Sequence, residues 1–256
     1  NGTSRDTDVT RATLAGTVNS RPNGGLQGVT VRLDGAGADG VFGNGDDPAP
    51  LTQTTGADGG YRFDNLVAGQ NYRVVETQPT GYGNGTQNPG NTITLTNLAT
   101  TGSTGNNFGE RLGALAGSVW LDADNDGVRD PGEGPLAGVV IQLTGTDANG
   151  AVSRSATTLV DGTYRFDDLL AGTYVVTEPT QPTGTLDART FAGSAGGTAS
   201  AAGSTPSTIS AITLAAGVVS TANDFSETLP VAIRGRVYFD NDNDGVIDAG
   251  EGGIAT

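Results

Sequence analysis

The sequence predicts an all-β fold: tandem Ig-like or prealbumin-like β-sandwich modules of about seven strands each. Three observations predict it: an internal repeat, apolar residues that alternate with polar ones, and an abundance of turn formers. The 256 residues include 42 Gly and 11 Pro, whereas only 35% are hydrophobic and 5% aromatic. No segment has the apolar spacing of an amphipathic helix, so we expect almost no helix.

An internal repeat divides the chain. The segment LAGTV at 14–18 recurs as LAGSV at 115–119, and IRGRV at 233–237 begins a third copy. Repeats separated by about 100 residues predict modules with their own cores rather than a solenoid. The chain begins at Asn1 without a Met, and we interpret it as a segment of a longer protein. The predicted units are the tail of a preceding module or a linker strand (1–13), module 1 (14–113), module 2 (114–230), and the first strand and acidic loop of an incomplete module 3 (231–256).

Alternation within each copy identifies the strands and their buried faces. Every second residue of a half-buried strand points into the core, so runs with period two predict strands and not helices. The core positions predicted in this way are Val29, Val31, Leu33, Tyr61, Phe63, Tyr72, Val74, Ile93 and Leu95 in module 1, and Val139, Ile141, Leu143, Tyr164, Phe166, Tyr174 and Val176 in module 2.

The residue types that are absent exclude most enzyme classes. The chain has no Cys, His or Met, and all 13 basic residues are Arg. Disulfides, Ser-His-Asp triads and Schiff-base chemistry are therefore impossible. A hydrolase with a carboxylate pair remains chemically available. We reject it because the acidic residues are spaced for a metal and recur in each repeat, so no enzyme activity is expected.

Net charge limits the partners. A charge of −15 repels nucleic acid and attracts cations. No apolar run approaches the ~20 residues that cross a bilayer, so we expect no membrane span in this segment.

An acidic loop follows the first strand of module 2. The stretch 122–133 matches the pattern D-x-[DN]-x-[DN]-G-x5-E, in which side chains at positions 1, 3, 5, 9 and 12 and the backbone oxygen at position 7 surround Ca²⁺. The stretch 240–251 repeats the pattern. The alternative is a metal-free Asn-Asp-Gly turn. The loop is expected at the module end near the preceding module. The predicted ligands are Asp122, Asp124, Asp126, Val128, Asp130 and Glu133, and Asp240, Asp242, Asp244, Val246, Asp248 and Glu251.

Module 1 has a plain turn at this place and a different acidic insert at 34–47. Asp34, Asp39, Asp46 and Asp47 could converge on a second kind of calcium site, with glycines letting the backbone curl. The alternative is a flexible acidic hairpin tip. Both interpretations stay open at this point.

With these motifs placed, the chain resembles the B-type repeats of bacterial serine-aspartate-repeat surface proteins (SdrD B-like), which are related to Cna-B-type modules. The resemblance rests on GSVWLDADNDGVRDPGEG at 117–134, LAGVVIQL at 136–143 and DGTYRFDDLLAGTY at 161–174. It implies a calcium-stabilised sandwich that serves as a stalk or spacer.

Cna-B relatives often carry a Lys–Asn isopeptide bond promoted by a Glu. The resemblance places Glu76 and Glu178 at that Glu, and Asn107 or Asn223 at the acceptor. Without Lys the bond cannot form, so we interpret these as ordinary polar residues at strand ends, and calcium as the substitute.

These observations lead to a functional prediction. We expect a calcium-stabilised structural repeat of an extracellular bacterial surface protein, adhesin or filament, located at the cell surface or secreted. The alternative is an adhesin module that binds carbohydrate or protein through loops 80–90 and 192–209, its host or matrix ligand unknown. The expected partners are neighbouring modules or copies of the protein, with fibre assembly by strand addition.

Overall fold

The computed structural model describes residues 10–20 and 24–254. Within these ranges the chain is all-β, and none of the described residues is helical. None of them therefore forms a helix that could span a membrane. Of the predicted tail 1–13, residues 1–9 lie outside the described ranges. Arg11 begins the first strand, and Ala12 is buried in the core of module 1.

Module 1 is a sandwich of two sheets. Strands β1, β2, β5, β7 and β9 form one sheet, in which β1 runs antiparallel to β5 and parallel to β9. The other sheet has the order β4-β3-β6-β8. The described part of module 1 contains nine strands: β1 (Arg11–Ser20), β2 (Gly24–Gly25), β3 (Thr30–Gly35), β4 (Leu51–Thr54), β5 (Gly60–Val67), β6 (Tyr72–Glu76), β7 (Gly83–Asn84), β8 (Thr92–Leu95) and β9 (Phe108–Arg111).

Module 2 repeats this architecture with one more strand. Its first strand, β10, pairs antiparallel with β13 and parallel with β18 and β19, and β15 extends this sheet. The second sheet has the order β12-β11-β14-β17-β16. The strands are β10 (Gly113–Leu121), β11 (Val140–Asp147), β12 (Gly150–Thr157), β13 (Thr163–Leu169), β14 (Gly172–Glu178), β15 (Leu186–Phe191), β16 (Thr198–Ala199), β17 (Ser207–Leu214), β18 (Val219–Ser220) and β19 (Asp224–Thr228).

Each module has its own hydrophobic core, as the alternation predicts. In module 1, Phe108 of β9 packs near Tyr61 with ring centroids 6.4 Å apart, and Phe225 and Tyr164 are likewise 6.4 Å apart in module 2. The predicted core positions are buried, except Ile93 and Leu95, which are partly buried and pack against the core of module 1. The predicted all-β sandwich fold is confirmed, but the described residues of modules 1 and 2 form nine and ten strands, more than the seven predicted, because short two-residue strands pair at the sheet edges.

The two modules touch through the loop between β6 and β8. The Ala171 amide donates a hydrogen bond to the Gly81 carbonyl at 2.8 Å. Gly83 and Gly217 approach so closely that a Cβ on Gly83 would lie 3.0 Å from the Cα of Gly217. Loop 80–90, a candidate ligand-binding loop, is thus partly used in the contact between modules.

The segment after module 2 is extended and exposed. Val231, Ile233 and Val237 are at least 71% exposed. A single isolated bridge joins Tyr238 to Gly253 among the described residues of this segment. Residues 231–254 therefore do not pack into the cores of modules 1 and 2.

Candidate metal centre

The loop 122–133 lies at the end of module 2 where the chain leaves it. It follows β10, whose last residues pair in parallel with the end of β19, with Leu121 opposite Glu227. The start of β10 lies at the other end, where the Ala114 amide donates to the Val218 carbonyl near the contact with module 1. The expectation that the loop lies near the preceding module is therefore wrong. Parallel pairing of the first and last strands places it beside the exit.

All five acidic side chains of the loop come together in two overlapping groups. Asp122, Asp124 and Glu133 form one group and Asp124, Asp126 and Asp130 the other, and within each group the carboxylate oxygens lie within 4.8 Å of one another. An ion with metal–oxygen distances of 2.3–2.6 Å, as Ca²⁺ has, could bridge oxygens at that separation.

Backbone conformation and hydrogen bonds shape the loop locally. Asn125 and Gly127 have φ of 60° and 84°, the left-handed region that Asn and Gly tolerate best. The Gly127 amide donates to Asp122 Oδ2 at 3.0 Å, and the Val128 amide donates to Asp126 Oδ1 at 2.7 Å. Glu133 closes the loop by accepting from the Ala123 amide at 2.6 Å. These hydrogen bonds turn the carboxylates toward the inside of the loop.

Asp122 ties the loop to the body of the module. Its side chain is fully buried, and Ser226 donates to its Oδ2 at 3.3 Å. The Asp122 amide donates to the Glu227 carbonyl at 2.7 Å. Arg189 of β15, the strand that pairs with β19, donates to the Asn125 carbonyl at 3.0 Å. The first and last strands of module 2 therefore meet at the first predicted ligand.

The carboxylates of the loop repel one another. Desolvation, followed by repulsion from Asp126, Asp124, Glu133 and Asp122, raises the pKa of Asp130. Because like charges oppose ionisation, a cation among them would relieve this repulsion.

The loop 240–251 has the same internal arrangement in an exposed setting. Its groups are Asp240, Asp242 and Glu251, and Asp242, Asp244 and Asp248, with the same 4.8 Å limit between oxygens. Gly245 donates to Asp240 Oδ2 at 3.0 Å, as Gly127 does to Asp122. Hydrogen bonds from the Gly245, Asn243 and Asp244 amides contribute to a lowered pKa of Asp240. The loop geometry is therefore encoded locally. Val246, like Val128, is predicted to add a backbone oxygen, and that contribution stays a prediction.

The insert 34–47 is arranged differently. Asp34 forms ion pairs with Arg32 at 2.9 Å and with Arg73 of β6 at 2.8 Å. Asp39, Asp46 and Asp47 accept hydrogen bonds from amides of the insert's own turns. None of the metal-type acidic groups in the described chain includes these four aspartates. Two arginines already neutralise Asp34, so the structure does not gather the four residues around one point.

Two buried glutamates were not recognised as special from the sequence. Glu76 and Glu178 end β6 and β14, as expected, but only 3% and 2% of their surfaces are exposed, so they are not ordinary strand-end residues. Their partners follow a repeated Phe-x-Glu pattern, Phe108 to Glu110 and Phe225 to Glu227, which is a signal the repeat contains. Each pair is a carboxyl–carboxyl contact.

The acceptor asparagines also differ from expectation. Asn223 donates to the Ala116 carbonyl at 3.0 Å, and in module 1 it is Asn106 that makes the same bond to Ala15 at 3.0 Å. Asn107 instead accepts from the Thr17 amide. Asn106 is therefore the structural equivalent of Asn223.

Comparison with known families identifies module 2. Residues 113–226 match the family model of the SdrD B-like domain. Module 2 is an SdrD B-like domain. This confirms the resemblance predicted from the loop and strand motifs. SdrD B-like modules are non-enzymatic, in agreement with the prediction that the chain is not an enzyme.

Curated relatives share parts of the chain. Serine-aspartate repeat-containing protein D of Staphylococcus aureus (strain Newman) is 35% identical over 163 residues, which cover 59% of this chain and 12% of that protein. Colossin-A of Dictyostelium discoideum is 34% identical over 140 residues, 53% of this chain and 1% of that protein. The chain thus spans a small part of the relatives that it matches.

Solved structures give a weaker similarity. The Bacillus anthracis TIE protein aligns with a TM-score of 0.41 and 15% identity, covering 86% of this chain and 34% of that one. The shaft pilin SpaA of Lactobacillus rhamnosus GG aligns with a TM-score of 0.33 and 13% identity, covering 88% and 100%.

Proposed function

We propose that the chain is a calcium-stabilised structural segment, a stalk, of a large extracellular bacterial surface protein. The observation that carries the proposal is the loop 122–133, whose five carboxylates converge where the first and last strands of the SdrD B-like domain meet. Relatives named for serine-aspartate repeats support a repeat protein of bacterial surfaces.

Calcium fits the donor set best. Every candidate side-chain ligand is a carboxylate oxygen, and hard oxygens favour Ca²⁺ or Mg²⁺ over zinc or copper. Ca²⁺ takes 6–8 oxygens in flexible geometry, and five carboxylates with one backbone oxygen supply that number. Mg²⁺ requires near-ideal octahedral geometry and keeps several waters, which five crowded carboxylates do not favour.

Binding would stabilise module 2 through Asp122. This residue is buried and hydrogen-bonded to β19, so a cation held by its carboxylate binds the folded module far better than the unfolded chain. With no Cys and no Lys, the chain has neither a disulfide nor a Lys–Asn bond to close the sandwich. A cation at the exit of the module would serve this purpose without a covalent bond.

The test is thermal unfolding with and without calcium. Extracellular modules bind with Kd of about 10⁻⁴–10⁻³ M, so 2 mM Ca²⁺ should stabilise module 2 by about 0.7–1.8 kcal/mol. The double variant Asp124→Asn/Asp126→Asn should lose this gain. The matched control, Asp242→Asn/Asp244→Asn, alters the exposed loop and should keep the gain in module 2. A melt that calcium leaves unchanged, or a gain that survives the first variant, refutes the proposal.

Assembly by strand addition stays a prediction. Val231, Ile233 and Val237 are exposed and alternate with polar or small residues, which suits pairing with a sheet edge. Electron microscopy and light scattering of the chain with calcium test this prediction.

Ligand binding through loops has less support, because the structure places loop 80–90 against module 2. A glycan array tests that alternative.

A further inference from the structure

The core of module 1 ends in two buried glutamates from opposite sheets. Glu76 is the last residue of β6, and Glu110 lies on β9; they are 3% and 5% exposed. Because β6 and β9 belong to different sheets, contact between these side chains crosses the sandwich. This is the kind of position where a covalent cross-link would hold two sheets together.

The hydrogen bonds around the pair leave a proton unaccounted for. Gln78 Nε2 donates to Glu110, and Asn91 Nδ2 donates to Gln78 Oε1 at 2.9 Å. Neither carboxyl oxygen of Glu76 has a donor among the described residues. An ionised carboxylate only accepts hydrogen bonds, so two facing carboxylates repel. One proton between them turns the repulsion into a charge-assisted hydrogen bond.

Among the described residues, no arginine forms an ion pair with Glu76 or Glu110. Desolvation, followed by the charge of Glu110, raises the pKa of Glu76 to about 8. Burial raises the pKa of Glu110 as well, and Gln78 partly offsets this. The other titratable group that faces Glu76 is Tyr61 of β5, whose pKa burial raises further above neutrality. From β1, the pair meets the uncharged Ser20, which lies opposite Glu110 and whose buried hydroxyl has no partner among the described residues.

A metal ion is a poorer match for this position. The pair offers two carboxylates, whereas Ca²⁺ takes 6–8 oxygens. Within the described ranges, groups of three or more acidic side chains close enough to share an ion occur only in the loops 122–133 and 240–251.

Module 2 contains the same arrangement of two buried glutamates. Glu178 and Glu227 occupy the same two positions in module 2, with Glu178 at the end of β14 and Glu227 on β19. Both are buried, and Glu178 lacks donors for both oxygens within the described chain. Because Glu227 hydrogen-bonds the backbone of the loop ligand Asp122, module 1 provides the cleaner case.

We propose that Glu76 and Glu110 share one proton as a carboxylic acid–carboxylate pair that joins the two sheets of module 1, and that the module loosens as the pH rises from acidic to mildly alkaline values and this proton is lost. The pair also reaches the module contact. Gln78, bound to Glu110, donates to the Tyr82 carbonyl at 3.0 Å, next to Gly81, which accepts from module 2. Loosening of the pair should therefore spread first to residues 78–85.

The direction of the pH effect follows from the proton count. In the unfolded chain Glu76 has an ordinary pKa near 4.5, so between that value and about 8 the folded module binds more protons. The contribution of the pair to the stability of module 1 is therefore complete below about pH 4.5 and is lost as the pH rises to about 8. Each pKa unit is a factor of ten, so the opening constant should rise by about tenfold to a thousandfold.

The test is hydrogen exchange of β6 and β9, converted to opening constants, at pH 5 to 8 in calcium-free buffer. Glu76→Gln can still donate to Glu110 but cannot titrate, so its opening constants should be flat across this range. The matched control in module 1 is Asp64→Asn, an exposed acid whose pKa is lowered mainly by a hydrogen bond from Thr13 and which stays ionised throughout. It should keep the slope of the unsubstituted chain.

A slope in Glu76→Gln equal to that of the unsubstituted chain overturns the proposal. If Glu76→Gln fails to fold, a second measurement tests the proposal without any substitution. This measurement is a ¹³C NMR titration of the Glu76 carboxyl in the unsubstituted protein. Titration well above pH 6 supports the shared proton. Titration near pH 4.5 refutes it.

Discussion

Gly16 is a position where one added methyl group should strongly destabilise module 1. It lies in the middle of β1, opposite Tyr61 of β5. A Cβ there would overlap the carbonyl oxygen of Asn106 and lie 2.7 Å from the Tyr61 hydroxyl oxygen. Both neighbours are fixed, one by backbone and one by the core, so Gly16→Ala must push β1 away from the segment that leads into β9.

The magnitude follows from the bonds that this movement breaks. The Tyr61 hydroxyl donates to the Asn106 carbonyl, and the Asn106 amide and side chain both donate to the Ala15 carbonyl. At about 0.5–1.5 kcal/mol for each hydrogen bond, losing all three costs about 1.5–4.5 kcal/mol. The lower chain entropy of Ala in the unfolded state offsets about 0.4–1 kcal/mol. The net loss in the stability of module 1 is then about 0.5–4 kcal/mol, with a midpoint of about 2 kcal/mol.

The assay is urea unfolding followed by circular dichroism, with Gly109→Ala as the control. Gly109 also lies in a strand, on β9, but a Cβ there meets nothing within 4 Å. The control should differ from the unsubstituted protein by less than about 0.5 kcal/mol. Equal stabilities for the two variants would refute the reasoning. Gly117→Ala in module 2 should behave like Gly16→Ala, because its Cβ would meet Asn223 and Tyr164 in the same way.

Three further predictions use other parts of the chain. Phe108→Ala should destabilise module 1 by about 3–5 kcal/mol, whereas Phe239→Ala, at an exposed ring, should change stability by less than about 0.5 kcal/mol in the same melts. Trp120 is the chain's one tryptophan and is buried in module 2, so its fluorescence reports the unfolding of that module. In Phe108→Ala the midpoint temperature of the Trp120 emission should stay unchanged, whereas the circular dichroism of module 1 should be lost at a lower temperature than in the unsubstituted protein. Because the chain has no Cys, spin labels can be attached to cysteines introduced at chosen positions. With labels at Ser155 and Ala232, calcium should narrow the distribution of distances between the two labels. With one label in module 1 and one in module 2, calcium should leave the distance distribution unchanged.

The two acidic loops could be found from the sequence because all their candidate ligands are neighbours in the chain. Asp122, Asp124 and Asp126 alternate, and Gly127 supplies the turn, so loop geometry does not depend on the rest of the fold. The same loop forms at 240–251 without a surrounding sandwich, which shows this independence directly.

Features that depend on strand pairing could not be predicted from the sequence. Asp34 is opposite Arg73 only because β3 and β6 pair in one particular register, and that ion pair removes it from the predicted cluster in the insert. The contact between Glu76 and Glu110 likewise requires the two sheets to face each other. Alternation identifies which residues are buried, but it does not specify which buried residues meet.

The two modules support their exit strands differently. In module 1 the chain leaves at β9, where loop 80–83 packs on module 2 and the Ala171 amide binds the Gly81 carbonyl. In module 2 the chain leaves at β19 beside the acidic loop, and the described residues that follow it are exposed. Direct packing and the acidic loop, with the cation proposed for it, are therefore alternative ways to fix the same strand end. Calcium should then control the direction of the chain after module 2 and leave the junction between the modules unchanged, because none of the clustered acidic groups among the described residues lies in that junction.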